Sequence, residues 1–146
     1  MSDADDSFLR PSSGEPFSKL AGAAFRQQSQ LDFDIAFYDA ILECDPEYID
    51  VLRCQGELLS RKGLHGRALA VDRRLAELLP GDPVVQYNLA CSLAMGGLDE
   101  ESLAALEAAL AAGYDDFEHL ALDKDLDSLR ASLAFHALLR RYAVDL

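Results

Sequence analysis

The residue types that most often carry chemistry are few in this 146-residue chain and do not converge. Its three cysteines have no Cys-x-x-Cys spacing, and its three histidines fall in different segments. They are Cys44, Cys54, Cys91, His65, His119 and His136. A metal site needs ligands that meet, and no pair among these is one helical turn apart. We therefore expect small buried thiols and no metal, disulfide or other cofactor.

Motifs of enzyme active sites are missing as well. The sequence contains no phosphate loop ending in Lys and Ser or Thr, no His-Glu-x-x-His and no Gly-x-Ser-x-Gly. The stretch from Arg61 to Gly66 has the composition of a phosphate loop, but it falls at a turn of the repeat described below. Acidic pairs such as Asp115-Asp116 are explained by helix dipoles and solvation. We expect a protein that is not an enzyme.

Composition indicates one soluble globular domain. Half of the residues are apolar and 27% are charged, and 13 basic against 26 acidic residues give a net charge of −13. Such a surface repels phosphate backbones and anionic lipids, which argues against nucleic acid and membrane partners. The acidic start lacks the order of a secretory signal, so a cytoplasmic protein is expected.

A repeat of 34 residues begins at Glu15. Small residues, large apolar residues and turn residues each recur at this interval in three successive units. The three series are Gly22, Gly56 and Ala90; Phe25, Leu59 and Leu93; and Ser29, Gly63 and Gly97. A fixed period in this range is typical of stacked supersecondary units.

Each unit contains two runs of apolar residues at helical spacing, separated by the turn residue. This pattern predicts a first helix, helix A, a tight turn and a second helix, helix B. Asp45-Pro46 and Asp82-Pro83 each predict a helix start, with a carboxylate at the N-cap and proline in the first turn.

These positions resemble the tetratricopeptide repeat (TPR), with Gly56, Leu59, Ala68 and Pro80 of the second unit matching the family pattern. The resemblance implies an all-α fold, a right-handed α-solenoid of three helix-turn-helix (TPR) repeats with a C-terminal helical cap. The expected repeats are 15–48, 49–82 and 83–114, after a disordered acidic tail over 1–14 and before capping helices over 115–146. Asp34 and Asp72 depart from the pattern, and looser helix packing is expected around both.

In this family the A helices line a concave groove that binds a peptide segment or a helix of another protein. The resemblance therefore implies a protein-protein interaction module or adaptor. Its basic groove predicts a ligand with a carboxylate beside an apolar residue. The expected groove residues are Lys19, Arg26, Arg53, Glu57, Arg61, Tyr87, Asn88 and Met95.

Two alternatives remain open. The size, acidity and three repeats are similar to those of type III secretion translocator chaperones. The other alternative is a structural assembly subunit, which self-associates as a homo-oligomer through its convex or terminal faces.

Overall fold

A computed structural model describes the backbone of residues 15–142 and 144, and the side chains of residue 23 and of most residues from 26 onward. The predicted acidic tail, 1–14, lies outside the described residues. Within residues 15–142 every regular element is helical, which confirms the all-α prediction. The α-helices are α1 (Glu15–Cys44), α2 (Ile49–Arg61), α3 (His65–Leu78), α4 (Pro83–Met95), α5 (Asp99–Ala111), α6 (Phe117–Leu122), α7 (Asp127–Arg130) and α8 (Leu133–Arg141), and a 3-10 helix spans Lys124–Leu126. None of the described helices combines the length and apolar composition needed to cross a bilayer.

The second and third units form the two helical hairpins that their pattern predicts, α2–α3 and α4–α5. Gly63 and Gly97 make the turns with φ of 80° and 74°, a backbone conformation that glycine adopts without steric cost. After each glycine the next N–H returns to the preceding helix, Leu64 to Leu59 O and Leu98 to Leu93 O, both at 2.9 Å. These bonds satisfy carbonyls at the helix end.

The first unit differs from the prediction. Helix α1 continues from Glu15 to Cys44 without a turn at Ser29, so the first unit, 15–48, contains one long helix and not a helix-turn-helix. Ser29 stands where the other units have glycine, and a left-handed residue there would cost a side chain about 1–2 kcal/mol. Because the neighbouring residues are Arg, Gln and Leu, all good helix formers, the helix continues.

The predicted helix start at Asp45-Pro46 is wrong by three residues. Helix α2 begins at Ile49, and its N-cap residue, Tyr48, makes no side-chain capping bond. The Asp45 carboxylate instead accepts a hydrogen bond from the Glu47 N–H at 3.2 Å, a local turn that delays the helix. The other start is confirmed: Asp82 caps α4 by accepting from the N–H groups of Val84 and Val85, and Pro83 opens the helix.

The C-terminal helices share the core of the third unit. Phe135, Leu138 and Leu139 of α8 are almost fully buried in one cluster with Leu93 of α4 and Leu106 of α5. A second cluster joins the inner faces of α1, α2 and α3 to the start of α4. Successive helices from α1 to α5 contact one another, so the α2–α3 and α4–α5 hairpins lie side by side and bring α2 near α4.

Candidate functional site

A depression of about 340 Å³ opens between α2, α3 and α4. Its walls come mainly from α2 and α4, the first helices of the two hairpins, and α3 supplies the floor. Its lining combines polar and apolar side chains: Arg53, Gly56, Glu57, Ser60, Asp72, Leu75, Val85, Asn88, Cys91 and Ser92. The structure thereby brings together three of the predicted groove residues, Arg53, Glu57 and Asn88. We call this depression the central pocket.

Asp72 on α3 lies at the base of the central pocket, where the TPR pattern expects a large apolar residue. Gly56 faces this residue, and a Cβ at this position would be in ordinary van der Waals contact with Val71 Cγ1 at 3.4 Å and Asp72 Oδ1 at 3.5 Å. Burial raises the pKa of the Asp72 carboxyl, and the hydrogen bond that it accepts from Ser92 Oγ offsets only part of this effect. The pocket floor is therefore a poorly solvated hydrogen-bond acceptor.

Arg53, the basic residue that lines the central pocket, already forms an ion pair within the chain. Arg53 donates to Asp82 Oδ2 at 3.0 Å, and the two side chains are 39% and 30% exposed. The pKa of Asp82 is lowered, chiefly by the Val85 N–H bond and then by the Arg53 guanidinium. Because this ion pair satisfies Arg53, the carboxylates of Glu57 and Asp72 set the electrostatic character of the pocket.

The other predicted basic residues do not join this pocket. Arg61 lines a separate depression of about 230 Å³ with Gln27, Gln30 and Asp34, between α1 and α2. Arg26 is exposed on α1, and the Lys19 side chain lies outside the described residues. The basic residues that were expected to share one groove thus lie in different parts of the surface.

Tyr87 requires a correction, since the resemblance to the tetratricopeptide repeat placed it on the groove surface. It is 2% exposed, and its ring stacks on Tyr114 with centroids 4.1 Å apart. Its hydroxyl donates to Asp123 Oδ2 at 2.8 Å. Tyr87 therefore links α4 to the C-terminal segment as a structural residue, whereas the other apolar member of the predicted groove, Met95, is 46% exposed.

Sequence spacing missed one polar cluster. Ligand-type atoms of Cys91, Asp123 and Asp125 lie within 4.8 Å of one another. The Cys91 thiol and the Tyr87 hydroxyl both donate to the same Asp123 oxygen, and burial raises the pKa of that thiol. These residues thus form a hydrogen-bond network that connects α4 to the start of the 3-10 helix. Because 32 residues separate Cys91 from Asp123, no local spacing could have revealed it.

No model of a known protein family matches this chain. A 94-residue stretch is 34% identical to a chloroplastic protein of Arabidopsis thaliana. The match covers 60% of this chain and 27% of that relative. The chain therefore spans about a quarter of the length of the curated relative that it matches.

Proposed function

We propose that this protein is an adaptor whose groove binds an extended segment or a helix of another protein. The observation that carries the proposal is the central pocket, which lies where the first helices of two adjacent hairpins meet. The 34-residue register and the paired hairpins support TPR-type units stacked as a right-handed α-solenoid, with the C-terminal helices as the end cap. Stacking of this kind produces a continuous concave face suited to a peptide ligand.

The size and lining of the central pocket define the kind of group that it accepts. A volume of about 340 Å³ is at the small end of ligand pockets and suits one or two side chains of a peptide. Leu75 and Val85 provide an apolar wall for an aliphatic stem. Glu57 at the rim and Asp72 at the floor accept hydrogen bonds. A lysine or arginine side chain of the partner fits these features better than the carboxylate expected from the sequence.

The test is affinity purification from the native cell with three baits, followed by mass spectrometry. The first bait is the unaltered protein and the second carries Ser60→Tyr, which fills the central pocket from an exposed position on α2. The third carries Ala70→Tyr, an equally bulky change at an exposed position on α3 that does not line the pocket.

We expect a partner that the first and third baits retain and the second loses. Direct titration of that partner should give an affinity reduced at least about tenfold by Ser60→Tyr, or ~1.4 kcal/mol. A partner that binds all three baits equally would place its site elsewhere and overturn the groove assignment.

A further inference from the structure

Helix α1 carries an apolar stripe that faces solvent. Phe33 and Phe37 are 65% and 54% exposed, and their rings stack with centroids 6.4 Å apart. Ala36 and Ala40 are exposed on the same helix, at the three- and four-residue spacing that defines one helical face. We call these four residues the α1 stripe.

The 34-residue register indicates what should cover this stripe. The residues 34 and 68 positions after Phe37 are Val71 and Ala105, which are 9% and 7% exposed. In the second unit Gly56 of the preceding helix covers this position, since a Cβ built on it would be in van der Waals contact with Val71 at 3.4 Å. Phe37 thus occupies a position that the first helix of a hairpin buries in the other units.

The matching first helix exists in the same chain but cannot reach Phe37. The register counterpart of Gly56 is Gly22, and both Gly22 and Phe37 belong to the unbroken helix α1. About fifteen residues of helix separate them by about 22 Å along the axis. The first unit therefore has both surfaces of a helical hairpin without the turn that would join them.

We propose that a second copy of this chain provides the cover, by exchange of the first helix of unit one. Two α1 helices lie antiparallel and cross near Ser29, so that residues 15–28 of each chain pack on the α1 stripe of the other. Gly22 of one copy then receives Phe37 of the other, as Gly56 receives Val71 within unit two. Such an exchange is closed by a twofold axis and goes beyond the adaptor function, because it uses the end of the repeat array and not the groove.

Sedimentation velocity at low and high micromolar concentration tests the exchange. The unaltered protein should be a dimer at high concentration. Phe37→Asp should weaken that dimer about 100-fold or more, since the symmetry removes two buried phenylalanines at once. Leu133→Asp is the matched control at an 84% exposed leucine on α8, and it should leave the dimer intact.

A second variant separates exchange from other modes of dimerisation. Ser29→Gly restores the turn residue of the other units, so it should let residues 15–28 fold back on their own stripe and shift the protein toward the monomer. Because Phe37 is exposed within a single chain, the Phe37→Asp protein should fold and keep its helical circular dichroism. A monomeric unaltered protein at high concentration, or a dimer that resists both Phe37→Asp and Ser29→Gly, overturns the proposal.

Discussion

The Tyr87 hydroxyl joins the C-terminal segment to helix α4, and its removal in Tyr87→Phe should lower the stability of the protein. In Tyr87→Phe the ring can keep its stacking on Tyr114, while the 2.8 Å hydrogen bond to the Asp123 carboxylate is lost. A hydrogen bond to a charged group contributes about 1.5–3 kcal/mol. Asp123 keeps the Asp125 N–H at 3.0 Å and the Cys91 thiol at 3.5 Å. We therefore expect the free energy of unfolding at pH 7 to fall by the lower part of that range, about 1.5–2 kcal/mol.

This contribution should depend on pH in one direction. Burial by itself raises the pKa of Asp123, but the bonds from Tyr87, the Asp125 N–H and Cys91 outweigh burial and lower the pKa below its usual 3.8. A depressed carboxyl pKa stabilises the fold above the unfolded-state pKa and loses that effect as the pH falls through the folded-state pKa. The difference between Tyr87→Phe and the unaltered protein should therefore be full near neutral pH and shrink below 3.8.

Urea unfolding followed by circular dichroism measures this difference, with Tyr48→Phe as the control. Tyr48 is 45% exposed, so loss of its hydroxyl should change stability by less than about 0.5 kcal/mol. If Tyr87→Phe costs no more than Tyr48→Phe, or if its cost stays constant down to about pH 3, the argument for a charge-assisted bond is refuted.

The other predictions concern the cap, the pocket floor and the groove. Deletion of residues 131–146 removes Phe135, which is 1% exposed, and should cause aggregation or loss of cooperative melting; a monomer with an unchanged melting curve in light scattering and calorimetry contradicts this. Asp72→Asn should raise the free energy of unfolding at pH 7 by roughly 0.5–2 kcal/mol, because burial raises the carboxyl pKa and penalises the ionised form. Below pH 3.8 the Asp72 carboxyl is protonated in both the folded and the unfolded state, so urea unfolding in acid should show no gain in stability. A gain of equal size at neutral and acidic pH rules out the charge as its cause. Glu57→Lys should weaken the binding of a purified partner by about 1 kcal/mol in calorimetric titration, and by less at high salt, whereas Glu100→Lys on α5 should leave the affinity unchanged. Tighter binding by the Glu57→Lys protein would favour an anionic ligand.

Sequence periodicity predicted the two hairpins well because their turns and cores are local properties. Gly63 and Gly97 stand where a left-handed backbone is needed, and the apolar residues beside them keep the 34-residue interval. The candidate site was harder to predict, since it depends on which side chains meet across different helices. The TPR pattern placed Tyr87 on the groove surface, but it is buried against Tyr114, the last residue of the third unit, and bonded to Asp123, which lies beyond the repeats. Arg53 likewise forms an ion pair with Asp82, a residue for which the sequence predicted only a role as a helix cap.

The first unit illustrates a conflict between local and tertiary preference, and its departures from the pattern have a common direction. Ser29 removes the turn, which favours one long helix, yet Gly22 and Phe25 keep the small and large positions of a first helix. Loss of the hairpin alone would leave no reason for Phe37 to occupy a position that is buried in both other units. An exposed phenylalanine is tolerated singly, but a stacked pair on one stripe costs solvation free energy that burial would recover. Exchange between two copies reconciles the continuous helix with the retained pattern, because it buries Phe37 without a turn.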